Sequence, residues 1–455
     1  MVRKATTTVL GILAGLAAPA LVAQSPWLPA SDPVGIGRAG VGVAFGQSLE
    51  AAALNPALLA TLRTGGEAYL AAGMEMACSQ ETLAANSRVL KTSDRNRFLP
   101  SAGGGFQISD RFSLGFKLDM PFARHGVLPD ESGSRFLGQS IDLGSHRAEL
   151  QAAWALTPQL AVGIGAGVTR VSYASEVKVR TALATDPTLP VGAGNPSEAL
   201  LEAGMHQEGD KVLPSFSAGF RYALAPRWTL AGAYQSGVSG TLDLKARMLP
   251  GYSLYDRQNG LGSAPLGLDD EAAALMGLAS ARSGRGKLTM PARATLGVRQ
   301  RFNQFFTWEA DLHYVGASSL ALPTQPSLVV PGAVVAAPVR RQESKSGLGY
   351  AAAGEFTFAK RWTLRMGFSM EPAYRTEAEV DPLTLGAATS TFAGGVGYRV
   401  WGGELNLGYQ VRLGRDALVT ASDGAWGGSG YQPSGALVRV EGQGHLWSLG
   451  FRKAF

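Results

Sequence analysis

A single cysteine, Cys78, leaves this 455-residue chain no disulfide framework and no cysteine-based metal cluster. Beyond the N-terminus no apolar run approaches the ~18 residues that a membrane-spanning helix needs. Charged residues make up 17%, well short of the usual quarter. The net charge of +6 is not gathered into a Lys/Arg stripe, which argues against nucleic acid as a partner. Histidine is scarce at five residues. No cofactor and no metal is expected. Glycine is the exception, with 59 residues, nearly double its ordinary share. Mean hydropathy of +0.05 is too polar for a helical membrane protein. Length alone would suggest two or three soluble domains, but all-β barrels routinely exceed that prior.

Residues 1–23 carry Arg3 and Lys4, then an apolar stretch from Val9 to Val22, then small residues. A basic start, a short apolar core and a small-residue exit describe a secretory signal peptide, with cleavage expected after Ala23 or Ala20. No cysteine follows either position, so lipoprotein processing is not expected.

Period-2 patterning dominates the rest. Trp362, Leu364, Met366, Phe368 and Met370 alternate with Arg361, Thr363, Arg365, Gly367 and Ser369. Leu405, Leu407, Tyr409, Val411 and Leu413 share one face, opposite Glu404, Asn406, Gly408, Gln410 and Arg412. A soluble sandwich would alternate too, so connection lengths decide. Very short polar turns, such as Ser109-Asp110-Arg111, Ala225-Pro226-Arg227 and Gly402-Gly403, take turns with long segments near 77–101, 122–144, 179–205, 247–285, 322–339, 378–387 and 416–433. Short turns on one side, long loops on the other and an apolar outer face are the signature of an outer-membrane barrel. Fourteen strands from residue 66 onward place both ends in the periplasm. Trp154, Tyr222, Trp228, Trp308, Tyr314, Trp362, Tyr398 and Tyr409 fall near strand ends on the apolar face, where interfacial girdles lie. The last strand ends on Trp447, Leu449, Phe451 and Phe455 in alternation, resembling the C-terminal signal of bacterial barrels, although Lys453 departs from it.

Residues 31–62 do not alternate. They combine a Gly-rich turn with a short helical stretch that Ser48 would cap and Asn55-Pro56 would end. A compact piece before a barrel is a natural plug, the alternative being a periplasmic tail. Gly35-x-Gly37-Arg38-Ala39-x-x-Gly42, then Ala44, then Asn55-Pro56-Ala57-Leu58 resembles the hatch of FadL-type long-chain fatty acid and hydrocarbon transporters. Leu213-Pro214 with the hairpin 215–236, Met290-Pro291 through Gly297, and Thr363 to Gly367 continue the resemblance over most of the chain. It implies uptake of hydrophobic molecules across the outer membrane past a hatch, with Gly37, Arg38, Asn55, Pro56 and Ala57 as hatch and gating residues. It also implies sideways exit at a kinked third strand near the Asn-Pro-Ala turn, for which Met120-Pro121 is the candidate.

Two long loops carry amphipathic helix signals. Asn195, Pro196 and Glu198 open one at 195–205, followed by Leu200, Leu201 and Met205. Asp269, Asp270 and Glu271 open another at 269–282, followed by Leu275, Met276 and Leu278. An apolar landing groove would use such residues; loops packing on each other would too. The inward face includes Lys117, Arg147, Arg221, Arg293, Arg299, Arg365, Arg399 and Arg412 against Asp119, Glu149, Glu309, Asp311, Glu355 and Glu404. Most should form a lumen salt-bridge network, and Arg293, Arg299 and Arg365 are candidates to pair with a substrate carboxylate. Asp311 and His313 share a face with Ser318 and Ser319 nearby, but no nucleophile motif completes an enzyme.

The expected organisation is a signal peptide at 1–23, a hatch at 24–65 and an all-β, 14-stranded antiparallel transmembrane barrel at 66–455. The expected function is passive uptake of fatty acid, alkane or aromatic hydrocarbon by a monomer in contact with outer-membrane lipid and lipopolysaccharide. The alternative is a general diffusion porin for small polar solutes.

Overall fold

The computed structural model describes residues 28, 30–45, 49–62, 65–83, 88–91, 96–127, 140–180, 202–249, 282–323, 328–330, 333–335, 339–359, 361–373, 388–414, 417–419 and 438–455. The signal segment lies outside them. Fourteen antiparallel strands form one closed barrel. They are β1 (Gly66–Leu83), β2 (Arg97–Ser109), β3 (Phe112–Asp119, then Ala123–Val127), β4 (Ser140–Ala155), β5 (Leu160–Arg180), β6 (Glu202–Ala225) and β7 (Trp228–Gln235, then Val238–Leu249). Then follow β8 (Arg282–Met290 and Arg293–Arg301), β9 (Phe306–Val315 and Ser318–Pro323), β10 (Val339–Ser344 and Gly347–Phe358), β11 (Trp362–Glu371), β12 (Thr389–Val400), β13 (Gly403–Gly414) and β14 (Val438–Ala454). Closure runs from Glu67↔Ala454 to Leu83↔Val438 between β1 and β14. A closed barrel has no free strand edge.

On the short-turn half, alternation follows the sequence pattern. Leu150, Ile164 and Phe216 point outward at 73%, 56% and 54% exposure. Glu149, Gln151 and Ser217 point into the lumen and are buried. Aromatic rings gather at the rim, with Trp228 edge-on to Trp308 at 6.4 Å and Phe358 stacked on Trp362 at 6.5 Å. The β12–β13 turn sits one residue earlier than expected. Trp401 and Gly402 hold φ of 52° and 72°, the two-residue geometry that matches strand twist.

The long-loop half inverts this polarity. On β4 the inward set runs Ala153, Gln151, Glu149, Arg147, Ser145 and then turns apolar at Leu143 and Ile141. Val171 and Tyr173 on β5 and Leu213 on β6 continue that apolar inner surface. Outside, at the same height, stand Arg170 at 63%, Asp210 at 55% and Asp243 at 68% side-chain exposure. Several segments expected as connections are therefore strand, including Ala123–Val127 and the first residues of β4 and β6. A search for apolar-out alternation misses strands that project beyond the apolar belt, because water replaces lipid on their outer face there.

Two further features bear on the wall. β3 breaks at Met120-Pro121, and its second half pairs with β4 from Ala123↔Gly144 to Val127↔Ser140 but not with β2. β7, β8, β9 and β10 are interrupted at Ser236-Gly237, Pro291-Ala292, Gly316-Ala317 and Lys345-Ser346. Gly316 N donates to Ala292 O across two of these breaks, at 2.9 Å.

Candidate functional site

The described residues between 28 and 62 pack inside the barrel lumen. Asp32 caps helix α1 (Pro33–Ile36), its carboxylate accepting from Gly35 N at 2.7 Å, with proline in the first turn where its missing N–H is harmless. Helix α2 (Leu49–Ala52) follows, and Ser48 lies outside the described residues. Asn55-Pro56 does more than end it. Asn55 Oδ1 accepts from Ala57 N at 3.0 Å and so starts a 3-10 turn, Pro56–Thr61.

Asn55 is fully buried. Its Nδ2 donates to Val43 O at 2.8 Å inside the hatch and to Phe220 O of β6 at 3.1 Å. One side chain thus ties hatch to hatch and hatch to wall. The wall is notched to receive it. A Cβ at Gly219 would strike the Asn55 amide, and one at Gly163 would strike the backbone of Pro56 and Ala57. Gly367 lies against the Arg38 backbone in the same manner, and Gly37 itself against Gly395. Small wall residues therefore admit hatch backbone where side chains would exclude it.

Charge holds the remainder. Arg38, 2% exposed, pairs with Glu355 at 2.5 Å and lies over the Phe45 ring at 3.3 Å. Burial depresses the Arg38 guanidinium below its usual value, and the Glu355 carboxylate opposes that. From Glu355 the chain of ion pairs runs to Arg365 at 2.9 Å, Glu404 at 2.8 Å, Arg452 at 2.7 Å and back to Glu50 of the hatch at 3.2 Å. Glu309 accepts from Ala44 N at 2.8 Å and Asp311 from Gly42 N at 3.2 Å. Past the end of α2, Lys117 donates to Ala53 O at 2.8 Å and Gln235 to Ala53 O and Leu54 O. Orphan carbonyls at a helix C-terminus are thereby satisfied by a cation and an amide. The buried Asp32 carboxyl is pushed up to about 7, by desolvation first and by the Glu50 carboxylate second.

The three arginines proposed for a substrate carboxylate have different surroundings. Arg365 is engaged by Glu355, Glu404 and Asn406, so it belongs to the hatch-holding network. Arg299 lies over Phe45 at 4.7 Å. Arg293 stands 3.8 Å from Glu371, and it lines a cavity with Gly40, Val43, Leu54 and Asp311. Asp311 and His313 do not act together: His313 Nε2 meets Glu371 at 2.8 Å, while Asp311 holds the hatch. Leu200, Leu201, Leu275, Met276 and Leu278 lie outside the described residues. Met205 does not end a helix; its backbone belongs to β6 and pairs with Val177 and Met248.

Sequence reasoning missed a packed apolar cluster above the hatch. Phe122, Ile141, Tyr173, Leu213, Leu242, Leu288 and Met290 form one buried cluster on β4–β8 and beside the β3 break. The signal was present as a change of phase: on β4, inward positions switch from polar to apolar after Ser145.

The family profile described as "Outer membrane protein transport protein (OMPP1/FadL/TodX)" matches residues 16–455. The chain belongs to the OMPP1/FadL/TodX family. Among solved structures, a FadL homologue of Pseudomonas aeruginosa is 17% identical with a TM-score of 0.74, covering 95% of this chain and 100% of that one. The P. putida toluene transporter TodX gives 17% identity and a TM-score of 0.63, with 94% and 99% covered. The Ralstonia pickettii toluene transporter TbuX gives 17% and 0.58, with 94% and 99% covered. No curated protein matches the chain by sequence. These likenesses show that the fold of the FadL/TodX barrels extends over nearly the whole chain, and membership of the family places it in the bacterial outer membrane. Members of this family are transport proteins.

Proposed function

We propose that this protein takes up hydrophobic compounds passively across the outer membrane, with long-chain fatty acids or related hydrocarbons as cargo. The observation that carries the reading is the apolar cluster of Phe122, Leu213, Leu242, Leu288 and Met290 inside a barrel whose lower lumen is ionic. A polar-solute pore gains nothing from such an interior, whereas an apolar cargo gains ~25 cal/mol per Å² it buries. Ligand would first partition onto the external loops through Leu200, Leu201, Leu275, Met276 and Leu278, then enter the barrel by parting this cluster.

Below this cluster the hatch blocks the way. The cavities lined by Gly40, Val43 and Leu54 and by Leu28, Asp32 and Met120 each offer about 20 Å³, room for one water. Onward passage therefore requires hatch movement around Gly37, Arg38 and the Asn55-Pro56-Ala57 turn. The exit is sideways, where Arg97 to Ser101 of β2 lack a partner from the outer half of β3. Leu28 N donates to Pro121 O at 2.9 Å, which puts the first described residue of the hatch at that break. Arg97 spans it, bonding the Leu143 carbonyl and Asp142 of β4. Arg293, beside Glu371, would meet a cargo carboxylate if the cargo is an acid. Outward charges above the apolar belt suit lipopolysaccharide headgroups, and the closed barrel works as a monomer.

The test is uptake of labelled long-chain fatty acid and, in parallel, toluene, by cells lacking their own transporter and expressing this chain. Uptake that falls in Asn55→Ala supports the reading, and the preferred label names the cargo. No uptake of either, with small sugars passing freely, overturns it in favour of a diffusion porin. Serine at Leu275, Met276 and Leu278 should weaken capture; unchanged uptake kinetics would remove the loop groove.

A further inference from the structure

The barrel wall has a second interruption, between β6 and β7. Ladder pairing joins Ser217–Ala225 to Trp228–Gln235 and, higher up, Gly204–Glu208 to Lys245–Leu249. Between these, residues 209–216 of β6 and 238–244 of β7 have no register partner across this seam, all of them being described residues. The cause is local. Ser236 N donates to Phe216 O and Phe216 N donates to Ser236 Oγ, both at 2.9 Å, so Phe216 turns its backbone groups toward β7. Strand geometry repeats every second residue, so Pro214 also faces β7 and has no N–H to offer. The ladder fails at a proline in a central strand, a position that proline ordinarily avoids.

The seam lies at a particular height. Phe216 and Val212 face outward at 54% and 56% exposure, and Asp210 follows at 55%. It thus straddles the outer edge of the apolar belt. Directly behind it Leu213, Val238, Leu242 and Leu244 belong to the packed apolar cluster. Leu213 packs over Gly240, where a Cβ would meet its methyls, Lys211 Nζ reaches Asp243 at 3.5 Å, and the backbones stay close at Gly209 and Asp243.

We propose that the β6–β7 seam is a lateral inlet through which hydrophobic cargo already dissolved in the outer leaflet reaches the apolar barrel interior, with Leu213 as its gate. Such cargo bypasses the external loops. The seam opens by side-chain rotation, parting of the exposed Lys211–Asp243 pair and a small separation of strands that no hydrogen-bond ladder clamps. This rests on the uptake reading above, and it is distinct from the break in β3.

The test uses the full-length chain in cells, in a Cys78→Ser background, with Val212→Cys and Thr241→Cys introduced together. Continuing the Glu208↔Lys245 register sets these two outward positions opposite each other. Ala148→Cys with Val168→Cys, on the laddered β4–β5 seam, is the control. Thiol titration scores cross-linking, with a bifunctional maleimide used where the disulfide does not close. Labelled palmitate is supplied in fused outer-membrane-like vesicles rather than in solution. Cross-linking the β6–β7 pair should cut uptake about tenfold, a barrier change of about 1.4 kcal/mol. Reduction should restore a disulfide-linked sample, and the control should be unaffected. Leu213→Ala should raise uptake while leaving ion conductance near zero, because the hatch stays shut. Cross-linked protein that transports like its reduced form overturns the inlet while leaving the uptake reading intact. A parent chain that takes up nothing overturns both.

Discussion

Arg38 of the hatch and Glu355 of β10 meet at 2.5 Å in a site where Arg38 is only 2% exposed. Glu355 keeps Arg365 as a second partner, so it is the loss of the Glu355 charge that leaves the buried Arg38 guanidinium without its ion pair. Arg38→Ala should cost about 1–3 kcal/mol of hatch docking, through the loss of its charged hydrogen bond. The expected result is a conducting barrel in planar bilayers. Glu355→Gln should act in the same direction, and near-zero conductance in both would show that the pair does not hold the hatch.

Asn55→Ala removes both bonds from Nδ2 and the cap to Ala57 N. Each buried group left without a partner costs ~1–3 kcal/mol. Hydrogen exchange across 55–61 should speed up while barrel strands stay protected; uniform protection would contradict the assignment.

Wall glycines give a steric version of the same test. Gly163→Val puts side-chain atoms where the backbone of Pro56 and Ala57 lies. The barrel should still form, visible as heat-modifiable migration on gels, with the hatch displaced and conductance raised. Conductance equal to the parent would mean the hatch tolerates the intrusion.

Asp32 makes hatch docking depend on pH. Its carboxyl titrates near 7 when docked and near its ordinary 3.8 when released. The released form therefore gives up its proton first as pH rises. Docking weakens progressively from about pH 4 to about pH 7 and stays at its weaker level above that. Open probability should be higher at pH 8 than at pH 5. Asp32→Asn keeps an acceptor for Gly35 N and should flatten that dependence; an unchanged profile would point to another group.

Deleting residues 31–62 should convert a closed barrel into an open one. Unchanged, near-zero conductance would contradict the plug role.

The sequence by itself carried the barrel. Alternation and the unequal lengths of connections on its two sides depend on solvent at each face, which composition records locally. It marked Asn55-Pro56 only as the end of a helix; the Asn55 cap on Ala57 N is a finding of the structure, although that bond closes within two residues. It did not carry the pairs Arg38–Glu355 and Glu50–Arg452, each of which joins a hatch residue to a strand hundreds of residues away and meets only when the barrel closes. Arg365 looked like a cation available to a ligand and proved to be surrounded by Glu355, Glu404 and Asn406. The apolar cluster and the β6–β7 seam were half legible, in the phase change on β4 and in Pro214. A proline in a strand weakens whichever ladder its missing N–H faces. That direction is set by pairing register, which only the tertiary structure decides.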